Sequence, residues 1–226
     1  YYQVINNSTI FNMEKDIDII IYGATGFTGK LCVKYFQSLD TTVTWAMAGR
    51  NLTKLKKVAE DNQTKVEILI ADSDDESALD DLTARAKVIL STTGPFHRYG
   101  SKLVASCIKN HAHYVDITGE NFWVKGLIEK HHAEALAKGI RIIPSCGFDS
   151  IPSDLGTFFS AKAIGKPIKR IESFHSYKGG ASGGTLETMF SMGELDLGDD
   201  LTDPFLLNPN DSYSNEQKQL SSDRVG

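Results

Sequence analysis

Three glycines at three-residue spacing, Gly23, Gly26 and Gly29, follow the apolar run IDIIIY at 17–22. They open an amphipathic stretch carrying Leu31, Val33, Tyr35 and Phe36. In such a setting the first glycine lets the chain turn sharply out of a strand. The second lets backbone approach a bound group, and the third lets the new helix lie close to the sheet. First-turn N–H groups of a helix have no partners within it, and the helix dipole adds a positive field. The turn Gly23-Ala24-Thr25-Gly26-Phe27-Thr28-Gly29 therefore suits a pyrophosphate. The spacing is GxxGxxG rather than GxGxxG, a variant shared by extended NADP-dependent reductases and epimerases. A tight strand–helix turn would also explain the triplet, but its place at the first junction of a βαβ series favours the phosphate reading.

A second signal lies at the end of the next strand candidate. Roughly 20 residues past such a turn, an NAD-binding chain places a carboxylate for the ribose hydroxyls. Here the residues are Gly49-Arg50-Asn51. An arginine there pairs with a 2′-phosphate and stacks on adenine, which favours NADP over NAD; the bland alternative is a solvated surface arginine. Asp72, after the third strand, is a candidate adenine contact or a plain loop residue. The exit Thr93-Gly94-Pro95-Phe96 should border the nicotinamide ribose, although Gly94-Pro95 is also ordinary turn chemistry.

Candidates for proton chemistry are sparser. His97 and Tyr99 follow the Thr93–Phe96 loop, and His97 reads first as a solvated loop side chain. Asp116 and Glu120 flank the fifth strand's exit, and Asp149 and Asp154 bracket the turn after the sixth. These carboxylates orient substrate or cap helices, with capping favoured for Asp149. Cys146 reads as a buried structural thiol rather than a reactive one. His131 and His132 sit in a Glu- and Lys-rich helix and read as its exposed face. No residue cluster suggests a metal. No tyrosine has a lysine four positions on, and Tyr99 is followed by Lys102 at three. That absence weakens the epimerase reading, which needs a Tyr-x-x-x-Lys pair to lower the tyrosine's pKa.

The elements that must position these residues alternate. Strand candidates are 17–22, 42–48, 66–71, 87–91, 113–117 and 140–144, several of them continuous apolar runs suited to burial on both faces. Asn51 should cap a helix carrying Leu52, Leu55, Val58 and Ala59, and Ser73 with Glu76 reads as a capping box. Gly139 stands where a helix C-cap belongs, and Pro152 suits a first turn. This pattern defines an α/β fold, a Rossmann-type doubly wound parallel sheet. After Pro152 a longer run at 168–177 meets a Gly-rich turn at 179–184. A helical stretch from Thr185 to about Leu195 and a polar tail from Gly198 follow.

Composition fits this class. The 226 residues are 41% hydrophobic and 23% charged, as in ordinary globular domains. A net charge of −5 without a basic stripe argues against nucleic acid as a partner. Cys32, Cys107 and Cys146 form no CxxC pair and suit a reducing compartment. No apolar run of about 18 residues predicts a membrane span, and no signal peptide is recognised at the start. Met13 reads as the natural start, with 1–12 an extension outside the fold, 13–165 an NADP-binding domain and 166–226 the beginning of a second, α+β domain for substrate or dimerisation.

The blocks GATGFTG (23–29), AGR (48–50), TTGPF (92–96) with Tyr99-Gly100, YVDITGE (114–120) and CGFDSIPSD (146–154) occur in order. Together they resemble the saccharopine dehydrogenase-like oxidoreductases, the group that contains the mycobacterial trans-acting enoyl reductases. The resemblance spans about residues 16–190 and extends to GGASGGT at 179–185. The first turn differs from that of true saccharopine reductases, so saccharopine is not the implied substrate. The resemblance implies hydride transfer from NADP(H) to an activated C=C or C=N bond in a small, lipid-like substrate. It also implies a homodimer, and a cytoplasmic protein or one at membranes or lipid droplets. Members are longer than this chain. The rival readings are a non-catalytic NADP-sensing module and an extended short-chain epimerase or dehydratase.

Overall fold

The structure, a computed structural model, describes residues 15–176, 178–180, 182–201, 203–208 and 214. The expected extension at 1–12 and most of the polar tail lie outside the described residues. Six strands form one parallel sheet: β1 (Ile17–Tyr22), β2 (Trp45–Gly49), β3 (Glu67–Ile70), β4 (Ala86–Ser91), β5 (His113–Asp116) and β6 (Ile142–Ile143). Their spatial order is β3-β2-β1-β4-β5-β6, so the winding direction reverses between β1 and β4. Register follows the apolar residues, with Ile20 beside Ala46 on β2 and Ile89 on β4.

Helices α1 (Phe27–Ser38) and α2 (Leu52–Asp61) cover one face, where Val33, Leu55 and Val58 pack on Ile21 and Met47. Helices α3 (Glu76–Arg85), α5 (Ser101–Lys109) and α6 (Asn121–Lys138) cover the other. There Leu79, Leu103, Val104 and Trp123 meet Ile20, Ile89 and Tyr114. Successive strand residues point to opposite faces, so the continuous apolar runs feed both layers.

Several local expectations hold. Asn51 caps α2 by accepting from Lys54 N at 2.9 Å. Gly139 ends α6 in the left-handed region at φ 66°, and Pro152 lies in the first turn of α7 (Ile151–Ile164). Others do not. The cap of α3 is Asp75, which accepts from Ala78 N at 3.0 Å, so the Ser73–Glu76 box does not form. The helix starts two residues later than that box requires. Asp149 is not a cap either, because the N-cap position of α7 is Ser150 and no side chain caps the helix.

The two adjacent histidines of α6 do not share a face. His132 is exposed, whereas His131 is buried, continuing the stripe Trp123, Val124, Leu127 and Ala135. Burial lowers the His131 pKa, and its Nε2 has no hydrogen-bond partner. Beyond β6, the described residues form α7, α8 (Gly183–Gly193) and a 3₁₀ turn at Gly198–Leu201, with no strand among them. No helix among the described residues is long and apolar enough to cross a membrane.

Candidate active site

At the point of reversal the loops leaving β1 and β4 are tied together. Thr92 N donates to Tyr22 O at 2.9 Å, and its hydroxyl donates to Gly23 O at 3.2 Å. Gly23 has φ 84°, and a Cβ there would lie 2.3 Å from Thr93 Oγ1. Only glycine meets both the left-handed backbone and the close approach. Helix α1 then starts from Gly26 with no side-chain cap, and Gly26 N donates back to Gly23 O at 3.0 Å. The first-turn N–H groups are therefore left to an outside acceptor, in the helix field that favours an anion.

A cavity of about 300 Å³ opens above this turn. Thr25, Gly26, Phe27 and Thr28 line it, as do Tyr22, Gly49, Arg50 and Ser73 from the exits of β1, β2 and β3, Thr92, Thr93 and Gly94 from the exit of β4, and Tyr99 from the helix that follows. Of the sequence candidates, Ala24 and Gly29 lie beneath the turn and do not line it. Asn51 is spent as the α2 cap. Asp72 turns into its own loop, accepting from Asp74 N at 3.1 Å, and its neighbour Ser73 faces the cavity instead. Burial pushes the Tyr22 phenol up, and its hydroxyl donates to Ala71 O at 3.4 Å. Pro95, joined to Gly94 by a cis peptide bond, and buried Phe96 sit behind the loop rather than on its surface.

That loop is held from below by carboxylates. Glu120 is fully buried and accepts from Phe96 N and His97 N, both at 2.7 Å, and contacts His97 Nδ1 at 2.6 Å. It caps the short helix α4 (Phe96–Tyr99) from across the fold. His97 is thus not a solvated loop histidine: its ring is packed against Phe122 and fixed by a carboxylate. Glu120 is placed in turn by Thr118, whose hydroxyl accepts Glu120 N at 3.0 Å. Asp116, buried at the end of β5, accepts from Thr118 N at 2.9 Å and Ser145 N at 3.0 Å. Burial raises its pKa despite these N–H contacts and the neighbouring Tyr114 hydroxyl. One polar chain therefore links the exits of β4, β5 and β6.

Cys146 is half-buried rather than buried, with Sγ 3.3 Å from Ile143 O, and burial pushes its thiol up. Neither observation makes a thiolate. Asp154 lies in the first turn of α7, on the exposed surface. Among the described residues no group of His, Cys, Asp or Glu could hold a metal ion.

Ser182, the N-cap of α8, and Gly184 and Glu187 within that helix complete the cavity wall. The helix rests on the β4 exit, where a Cβ on Gly94 would lie 3.7 Å from Thr188 Oγ1, and Arg98 pairs with Glu194 at 2.8 Å. The sequence marks this segment only as a glycine-rich block, and nothing local shows that it folds back on Gly94.

A parallel sheet in this order, with a glycine-lined, uncapped helix start at its switch point, defines a Rossmann-type fold with a candidate dinucleotide site. The family described as saccharopine dehydrogenase NADP binding domain matches residues 19–143. The chain belongs to that family, in the branch that includes trans-acting enoyl reductases. A protein of Mycobacterium tuberculosis H37Rv, named as a candidate trans-acting enoyl reductase, is 36% identical over 208 residues, covering 86% of this chain and 50% of its own length. The trans-acting enoyl reductase of Mycobacterium leprae is 40% identical over 148 residues, covering 64% of this chain and 35% of the relative. The chain thus spans about half the length, or less, of these relatives. Among solved structures, saccharopine dehydrogenase (L-Glu forming) from Saccharomyces cerevisiae shares the fold, with a TM-score of 0.56 at 19% identity over 66% of this chain and 31% of that one.

Proposed function

We propose that this chain binds NADP(H) and serves an oxidoreductase that reduces an activated C=C or C=N bond. The observation that carries the reading is a single cavity shared by the uncapped start of α1 and by Arg50. The first-turn N–H groups of α1 would hold the pyrophosphate, and Arg50 would pair with the 2′-phosphate. Thr93 and Gly94 would border the nicotinamide end. When bound, NADPH supplies a hydride; the protein holds the cofactor and the acceptor in register. The names of the relatives support an acyl-type C=C substrate. Residues 13–165 form the cofactor unit in this reading, and 166–226 belong to a substrate or dimerisation unit. A lipid-like substrate met in the cytoplasm or at a membrane or lipid-droplet surface, and a homodimer, rest on the family resemblance.

Calorimetric titration with NADPH and NADH tests the reading. NADPH should bind at least about tenfold more tightly, since charge-assisted contacts to one phosphate contribute about 1.5 kcal/mol or more. Absence of heat with either cofactor overturns it. Oxidation of NADPH with enoyl thioesters or cyclic imines separates an enzyme from an NADP-sensing module.

A further inference from the structure

The proposed hydride transfer needs a proton at the neighbouring atom, and sequence motifs leave its source open between His97 and Tyr99. The structure separates them. His97 is held by Glu120 and packed against Phe122, and it does not line the cavity. Tyr99, one helical step further, does. The titratable side chains on the cavity wall are Tyr22, Arg50, Tyr99 and Glu187. Arg50 stays charged and lies at the end of β2, where the adenosine half would bind. Tyr22 is buried with its hydroxyl on Ala71 O. That leaves Tyr99, in the short helix α4 that follows the Gly94-Pro95 exit of β4, and Glu187, on the helix α8 that meets Gly94 through Thr188.

We infer that Tyr99 is the proton donor of this site, delivering its phenolic proton to the atom next to the one that receives hydride. The inference rests on the proposed NADP(H) reading. Three observations favour Tyr99 over Glu187. Tyr99 is fixed in α4, whose first two N–H groups are anchored on fully buried Glu120, while Tyr99 N itself donates to Pro95 O at 3.1 Å. Its side chain is half-buried at the end of the helix that follows Gly94-Pro95, and its hydroxyl has no hydrogen-bond partner among the described residues. Glu187 is exposed, on a helix from a different part of the chain.

The step balances without any further reagent. Hydride from NADPH forms a C–H bond on one atom of the C=C or C=N bond, and the π pair shifts to the other atom. That atom takes the proton from Tyr99 as the Oη–H bond breaks. The resulting phenolate regains a proton from water at the mouth, where the exposed Glu187 carboxylate relays it.

The test needs no substrate. NADP⁺ carries a positive nicotinamide and NADPH does not, so a phenol beside the ring should ionise more readily in the NADP⁺ complex. Alkaline titration followed by tyrosinate absorbance, or by NMR of tyrosine labelled at Cζ, should show one tyrosine ionising about one pH unit lower with NADP⁺ than with NADPH. Tyr99→Phe should remove that transition and keep NADPH binding within about threefold. Tyr22→Phe should retain it. The inference is overturned if both complexes titrate alike, or if the transition survives Tyr99→Phe and disappears in Tyr22→Phe. Heat on cofactor titration without a Tyr99 transition overturns the donor alone. No binding of either cofactor overturns the cofactor reading with it.

Discussion

Gly29 lies against the carbonyl of Gly23, so closely that a Cβ at Gly29 would sit 2.2 Å from Gly23 O and 2.8 Å from Ala24 Cα. Both obstacles are backbone, with no flexible side chain to yield. Gly29→Ala should push α1 away from β1 and destabilise the protein by about 3 kcal/mol, the upper end of typical overpacking. A Cβ on Gly26 would meet only Gly23 O, at 3.4 Å, yet Gly26 lines the cavity. Gly26→Ala should therefore unfold close to wild type in urea and lose NADPH affinity in calorimetry. Equal melting of the two variants would show that the turn is not packed as described.

Arg50 is exposed on the cavity wall at the end of β2. Arg50→Asp should reverse cofactor choice, because a carboxylate repels a 2′-phosphate and accepts from ribose hydroxyls. NADPH affinity should fall at least about tenfold, with NADH affinity equal or higher. An unchanged NADPH-to-NADH ratio in calorimetry would remove Arg50 from the site.

Much of this was legible locally. Strands show as continuous apolar runs, the glycine spacing marks the cradle, and Asn51 announces its own helix. Each of those signals acts within a few residues. The errors came where a distant partner decides. Glu120 looks like a cap for the helix that it precedes, yet its carboxylate caps α4, more than 20 residues earlier. His131 resembles His132 in type and neighbours. Only the full stripe from Trp123 to Ala135 shows that one of them faces inward. Ser182, Gly184 and Glu187 could not be found from local pattern, because their place on the cavity wall depends on α8 crossing to Gly94.

Glu120 also provides a stability test. Its carboxylate serves two main-chain N–H groups and an imidazole nitrogen with no solvent access. Glu120→Ala would leave these donors buried and unpaired, and should cost about 3 kcal/mol or more. Glu120→Gln keeps one good acceptor but turns an amide N–H toward a donor, so its loss should be intermediate. Urea unfolding of the three proteins checks the order. A change below about 0.5 kcal/mol in Glu120→Ala would mean that α4 is held by other contacts.

Asp116 should leave a signature of opposite sign to that of a salt-bridged carboxylate. Burial raises its pKa, so the native state holds its proton at pH values where the unfolded chain has released it. Between the ordinary carboxylate range, near about pH 4, and the raised value, the native protein binds more protons and stability falls as pH rises. Asp116→Asn removes that dependence. Its Oδ1 can still accept from Thr118 N and Ser145 N, as the wild-type oxygen does. Its new N–H group takes the place of Oδ2 beside the buried Tyr114 hydroxyl, to which it can donate. Relative to wild type, the variant should therefore gain stability in urea unfolding as pH rises from about 4, and the gain should level off once the raised native value is passed. A constant difference across that range would show that Asp116 ionises in the native protein as freely as in the unfolded chain. The polar chain joining the three strand exits would then be open to water.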